Sequence, residues 1–403
     1  MAASGQLSRL RSASESAFSP EIGSLVDLAR RAIDNSVQVP DFPATLDWNR
    51  LLFLSELHGL DAFLLRDLRR SAVAVPEHVL NRLTRASSQV APRNLALGRE
   101  LLKLSSVLRI KGIDHLAYKG PALGQMLYGN LALRHSSDID LIVHPEQTEF
   151  AIAVLKELGY EDKDRLNSRQ IRAAIRYGAE HCLARAGIDV DLHWRFAPAA
   201  VSRSLKVDHI WKRSIAVPLF GSELPTLCPE DLFVTLCLHA SEHGWSQLSL
   251  FCDLGRLLAI SPNFDWDIVH EHTEDENTRR AVDVTVLLLA ESCLGVAVPG
   301  SELRREMQVE LLAAKVAGGF WPAPERAPHQ ETNLGWIRER CRGERMKSRL
   351  QWIGGVVLTP TLADIKAVHL PAILTWLYPG IRMVRLLARH ANRNDTVIHA
   401  ETT

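Results

Sequence analysis

Apolar residues recur at helical spacing through Leu51–Arg70, where Leu51, Leu54, Leu57, Leu64, Leu65 and Leu68 predict a helical face interrupted at Gly59. A second helical pattern covers Glu77–Ile110. Pro92 inside it is expected to break or restart the helix, because proline lacks a backbone donor and collides with the preceding turn. Residues 1–20 are rich in Ser and Ala without a period and read as a frayed tail. The period then shortens. Residues 113–118 read as a short strand that runs into Lys119-Gly120-Pro121, with a helix of about two turns after it. Asp138–Val143 reads as a strand, and Glu146–Leu158 as a helix stopped by Gly159. A helix near 168–177 precedes two runs, 180–186 and 188–194, which pair as a hairpin if the turn at Gly187 borrows a neighbour. Past Pro225 the helical period returns. Pro229-Glu230-Asp231 opens a helix with acids at its positive end, and further helices cover Gln247–Ala259, 277–294 and positions up to about 394.

This order predicts an α+β fold, with a small mixed β-sheet flanked by N-terminal and C-terminal helical regions. The expected division is a tail over 1–20, a helical region over 21–110, an α/β core over 111–225 and a helical domain over 226–403.

Composition narrows the class. The chain has 403 residues, which suits two or three domains, and 46% of them are hydrophobic against 23% charged. Such a chain buries a real core and is not dominated by disorder. Lys plus Arg number 47, as do Asp plus Glu, so the formal net charge is zero and a long nucleic acid is not the expected partner. The six cysteines form no CxxC pair and read as buried thiols of a reducing compartment. No secretory apolar region opens the chain, and its best apolar window, Val284–Val298, is short and carries Glu291. A cytoplasmic protein without a membrane span is expected.

The chemistry gathers at two strands. Alternation puts Asp138 and Asp140 on one face, with Cα atoms about 6.7 Å apart at about 3.3 Å per residue. Carboxylates about 5 Å apart repel by roughly 3 kcal/mol at an effective dielectric near 20. A divalent cation offsets that repulsion, and Mg²⁺ prefers such hard oxygens. On the strand Ile188–Trp194, Asp189, Asp191 and His193 share a face. If the two strands are neighbours, Asp191 or Asp189 supplies a third carboxylate, the donor set of a two-metal site. Alternation alone also produces acidic faces that hold nothing.

Two other features have plainer readings. His239 and His243 lie four apart on one helix side, but Ala240 stands where a zinc-protease helix needs Glu. They are expected to line a cleft or pack against Asp253. The basic, amphipathic stretch 374–393 is expected to pack as a last helix, the alternative being contact with a membrane surface.

The string Tyr118–Val143, YKGPALGQMLYGNLALRHSSDIDLIV, resembles the nucleotidyltransferase superfamily, and in particular a bacterial branch with the pattern KG…L…LY…R…DIDLLV followed by DLHW. The matching positions are Lys119-Gly120, Leu123, Leu127-Tyr128, Arg134, Asp138, Asp140 and Asp191–Trp194, and Leu236–Leu258 matches the branch's later helix. The resemblance implies a nucleotidyltransferase core that moves a nucleoside monophosphate from an NTP to a hydroxyl or phosphate acceptor with release of pyrophosphate. It assigns catalysis and two Mg²⁺ ions to Asp138, Asp140 and Asp191. It lets the Gly120 backbone approach the triphosphate, makes Lys119 and Arg134 partners of phosphate oxygens, and makes Ser136 and Ser137 hydroxyl donors to them. His193 reads as a hydrogen-bonded structural residue or a catalyst, and Trp194 as core. Pro121 departs from the Gly-Ser or Gly-Gly common in the superfamily and offers no N–H to a phosphate. The interval from Gly120 to Asp138 is also long for the superfamily, though typical of the branch. The implied acceptors are a peptide, a sugar phosphate or a small metabolite in natural-product or polysaccharide biosynthesis, with a tRNA end still open. The alternatives are an inactive nucleotide-binding or scaffold protein, and transfer of another phosphate-linked group such as a sugar.

Overall fold

Five short strands, β1 (His115–Ala117), β2 (Ile139–Val143), β3 (Glu161–Asp162), β4 (Glu180–Arg185) and β5 (Ile188–His193), form one mixed sheet in the order β1-β2-β5-β4-β3. Only the β2–β5 pair is parallel. The computed structural model describes residues 19–387, apart from 36–37, 39, 197–201, 203–204, 293, 302–305, 322–353 and 356. Most of the expected tail, Cys293, Cys341 and the end of the expected last helix lie outside the described residues. The α+β fold holds, with this sheet accompanied by many helices.

The chain divides into two compact units, the first formed by Met1–Lys103, Tyr118–Ser137 and Ser204–Glu344 in their described parts. The second comprises Leu104–Ala117, Asp138–Arg203 and Arg345–Thr403, likewise in their described parts, and holds the whole five-stranded sheet.

In the second unit, period-2 alternation decides what each strand buries. Ile139, Leu141, Val143, Val190 and Leu192 are buried on one face of the central pair. The β4–β5 turn shows which neighbour Gly187 borrows. Ala186 at φ 50° and Gly187 at φ 78° both sit in the left-handed region, the requirement of a two-residue primed turn that suits the strand twist. The Ser168–Tyr177 helix starts on a capping box in which Asn167 and Gln170 bind each other's backbone. Gln170 also donates through Nε2 to the carbonyl of Ile365 at 3.3 Å, tying the Leu362–Ala367 helix to it.

The first unit is mainly helical and carries one hairpin, β6 (Ile215–Leu219) with β7 (Ser222–Thr226). Its core joins the Pro20–Asp34 helix to the Leu248–Ala259 helix so closely that a Cβ on Gly255 would meet Ile33 at 3.1 Å. Trp245 is fully buried and donates its indole N–H to Thr285 at 2.9 Å. His58 is equally buried: its Nε2 donates to the Phe320 carbonyl at 2.8 Å, and its Nδ1 accepts from the Leu248 amide at 3.4 Å. That pattern uses the neutral imidazole, and burial pushes its pKa down to about 4.

One expectation fails. Glu77–Ile110 is a single helix of 34 residues with Pro92 inside it. Leu83, Val90, Leu97, Leu101, Leu104 and Leu108 make one continuous buried stripe across the proline. Pro92 itself is exposed, so the carbonyl it deprives of a partner can turn to water. Packing of the stripe outweighs the local cost. The Gly59 interruption, by contrast, separates the helices Trp48–Leu57 and Asp61–Leu68 as expected. Among the described residues, Cys182, Cys228 and Cys237 are free thiols. Among the described residues, no helix is long and apolar enough to cross a membrane.

Candidate active site

Register brings the acidic residues together. In the parallel β2–β5 pair, Asp140 stands opposite Asp191. Paired positions on neighbouring strands project to the same face, about 4.8 Å apart at the backbone. Asp138 immediately precedes β2 and is two residues from Asp140. Burial raises the Asp191 carboxyl above the ordinary carboxylate range, and the negative charges of Asp138 and Asp140 push it further up. A hydrogen bond from the Cys182 thiol and the nearby His193 pull in the other direction. The sequence-predicted trio thus shares one electrostatic neighbourhood.

The other acid on β5 has different company. Asp189 accepts from Lys163 Nζ at 2.9 Å and stands opposite Ala184 on β4. His193 lies between two carboxylates, its Nε2 at 3.2 Å from Asp140 Oδ1 and its Nδ1 at 3.1 Å from Glu180 Oε2. The imidazole is almost wholly buried, so these contacts fix the orientation of Asp140. Trp194 is core, with its indole N–H on the Gly178 carbonyl at 2.9 Å.

The predicted phosphate partners belong to the first unit. Lys119 precedes the Gly120–Tyr128 helix and holds its ammonium 5.0 Å from the Tyr118 ring centre. Gly120 has φ 54°, a left-handed helix entry that glycine adopts without a Cβ penalty. Arg134 donates through Nη1 to the Gly120 carbonyl at 3.3 Å and through Nε to Asp253 Oδ2 at 2.7 Å. Tyr128 donates to the other Asp253 oxygen at 2.9 Å. Asp253 is therefore bound by Tyr128 and Arg134, while the His239 and His243 rings lie 4.5 Å apart, centre to centre. Burial and the Lys119 charge both lower the pKa of His243. The loop before β2 is held by Asn94, whose side-chain amide donates to the carbonyls of Leu131 and Arg134, and by Arg93, which donates to the Ser137 carbonyl at 2.6 Å. Ser136 is buried and its hydroxyl has no hydrogen-bond partner among the described residues. A buried hydroxyl of that kind is a donor left over for something else.

The sequence model of the uncharacterised nucleotidyltransferase family matches residues 44–295, more than half of the chain. The chain belongs to this family. The matched span takes in Lys119, Gly120, Arg134, Ser136 and Ser137 together with all three carboxylates. No curated protein matches this nucleotidyltransferase. Among solved structures, it is similar to the antibiotic-resistance factor ANT(2'')-Ia at 13% identity and TM-score 0.30, covering 45% of this chain and 89% of that one. It is also similar to an antigenic nucleotidyltransferase-like protein from Paracoccidioides brasiliensis at 12% identity and TM-score 0.32, covering 53% of this chain and 96% of that one. Family membership makes nucleotidyl transfer the general chemistry of this chain, and the chain a transferase.

Three neighbours of the predicted residues escaped the sequence reading: Cys182 beside Asp191, Glu180 beside His193 and Asp253 beside Arg134. The first two follow from the hairpin turn, because pairing of Arg185 with Ile188 puts Cys182 opposite Asp191 and Glu180 opposite His193. The third joins positions 119 apart in the chain and leaves no local signal.

Proposed function

We propose that this nucleotidyltransferase moves a nucleoside monophosphate from an NTP to a hydroxyl or phosphate acceptor, and that Asp138, Asp140 and Asp191 hold two Mg²⁺ ions for it. The observation that carries this reading is the register of Asp140 opposite Asp191, with Asp138 close enough to raise the same carboxyl. The donor set fits the ion, being hard carboxylate oxygens that repel one another without a cation. Bound there, Mg²⁺ supplies neutralisation of phosphate charge and alignment of the attacking and leaving oxygens.

The chain's own groups do the rest. The acceptor oxygen forms a bond to the α-phosphorus, the bond to the β-phosphate oxygen breaks, and pyrophosphate leaves with that electron pair. Asp191 takes the proton of a hydroxyl acceptor. His193 steadies Asp140 from behind, and the Cys182 thiol steadies Asp191. The free Ser136 hydroxyl donates to a phosphate oxygen, as does Ser137, while Lys119 offsets phosphate charge. Arg134 adds charge and holds the left-handed Gly120 turn by which the backbone approaches the triphosphate. We place the reaction in the cytoplasm, with a peptide, sugar phosphate or small metabolite of natural-product or polysaccharide biosynthesis as acceptor.

The test is transfer of label from α-labelled NTPs, with Mg²⁺, to components of a size-fractionated cell extract. The wild-type chain should label an acceptor and release pyrophosphate, and Asp138→Asn should do neither while remaining folded. Undiminished transfer by Asp138→Asn would overturn the assignment. Tight NTP binding without any transfer or pyrophosphate release would favour a scaffold.

A further inference from the structure

We propose that Asp162, Asp164 and His181 form a separate divalent-metal site of mixed nitrogen and oxygen donors, the type that suits Zn²⁺. β3 ends at Asp162, the chain turns through Asp164, and the antiparallel β4 brings His181 alongside. One ligand atom from each residue lies within 4.8 Å of the other two. Tetrahedral zinc with bonds of about 2.0–2.2 Å sets its ligands about 3.4 Å apart, so a modest contraction closes the site. Half-buried Asp164 is the member free to make that movement.

The histidine is the decisive member. His181 is 3% exposed, and its Nε2 has no hydrogen-bond partner among the described residues. The atom is 3.1 Å from Asp162 Oδ2, an ion-pair distance, but its orientation makes no hydrogen bond there. A buried ring nitrogen that stands beside a carboxylate without hydrogen-bonding it is a donor left over for a ligand. Asp162 is already oriented, because the amides of Asp164 and Leu166 donate to its two oxygens at 2.8 and 3.0 Å. Lys366 places its ammonium 2.9 Å from Asp164 Oδ1 and supplies positive charge where a cation would. Its side chain is 46% exposed, so it can withdraw into water. Strand alternation turns His181 to the sheet face opposite Cys182, the partner of Asp191, so this cluster does not share the proposed catalytic face.

Cobalt(II) is a visible probe for such a site, because imidazole-ligated tetrahedral Co²⁺ absorbs strongly where an all-oxygen octahedral site absorbs weakly. Titrating the full chain with Co²⁺ should raise a saturable visible band that Zn²⁺ abolishes. The band should persist in Asp140→Asn and disappear in both His181→Ala and Asp164→Asn. The Asp164→Asn chain, altered at a half-buried loop position, should keep the wild-type melting curve without metal. Lys366→Met should lower the Co²⁺ concentration needed for half-saturation by removing the competing charge. Absence of the band from the wild-type chain, its survival in Asp164→Asn, or its loss in Asp140→Asn would overturn the site.

Discussion

Asp140 and Asp191 face each other across the parallel β2–β5 pair, and the charge of one raises the pKa of the other. Two acids in direct register on a half-buried sheet face weaken the fold by themselves. The arrangement makes chemical sense when a cation shares the face, and the consequences can be measured one residue at a time.

Asp191→Asn should make the metal-free protein more stable while abolishing transfer. Burial and the charges of Asp138 and Asp140 raise the Asp191 carboxyl above its ordinary 3.8. The folded state therefore holds this proton more tightly than the unfolded chain, and stability falls as pH rises from the ordinary value through the raised one. Melting curves in chelator should show a higher Tm for the variant at pH 7 and no difference well below pH 3.8. Added Mg²⁺ should narrow the gap by stabilising only the wild type.

Arg134→Ala should destabilise the first unit strongly. It strands Asp253, whose side chain is 7% exposed, and leaves the Tyr128 hydroxyl to bind it in place of the guanidinium. Removing one member of a buried ion pair costs about 3–5 kcal/mol. Denaturant unfolding should register that loss, and Arg134→Met combined with Asp253→Leu should recover a large part of it.

Pro92→Ala should stabilise the protein. An interior proline costs about 3 kcal/mol against alanine in a helix, and the Glu77–Ile110 helix already runs through it. A gain on the order of 1–3 kcal/mol in urea unfolding is expected, because exposure of the site softens the penalty. An unchanged or lowered midpoint would show that the proline sets a useful bend.

His58 should give the fold an acid-sensitive stage. The buried imidazole has a pKa of about 4 against an ordinary 6.5. The unfolded chain takes up that proton first as pH falls, so stability drops across the window from 6.5 to about 4. At about 1.4 kcal/mol per pH unit the full loss is about 3 kcal/mol. His58→Gln should flatten that part of the stability–pH curve.

Much of this was legible in the sequence because local patterns carried it. The 180–194 run announced a hairpin close to its observed bounds, whereas the strand expected from Asp138 starts at Ile139, so alternation applies to Asp140 and Asp138 lies just before it. The hairpin's pairing was hidden by a two-residue turn that uses Ala186, a residue that rarely adopts positive φ. With the neighbour that Gly187 borrows left open, the partners of Asp191 and His193 could not be assigned. Pro92 misled for the opposite reason: a local penalty was visible, and the long buried stripe that outweighs it was a tertiary fact. The Arg134–Asp253 clamp joins distant segments and no periodicity points to it.

The central claim is that the carboxylate face binds nucleotide through a divalent cation, and calorimetry with a non-hydrolysable NTP tests it most directly. The wild-type chain should bind the analogue with Mg²⁺ present and lose that binding in chelator, while Asp140→Asn, folded by circular dichroism, should not bind it under either condition. Equal binding by the wild type and Asp140→Asn, or wild-type binding indifferent to Mg²⁺, would contradict the account.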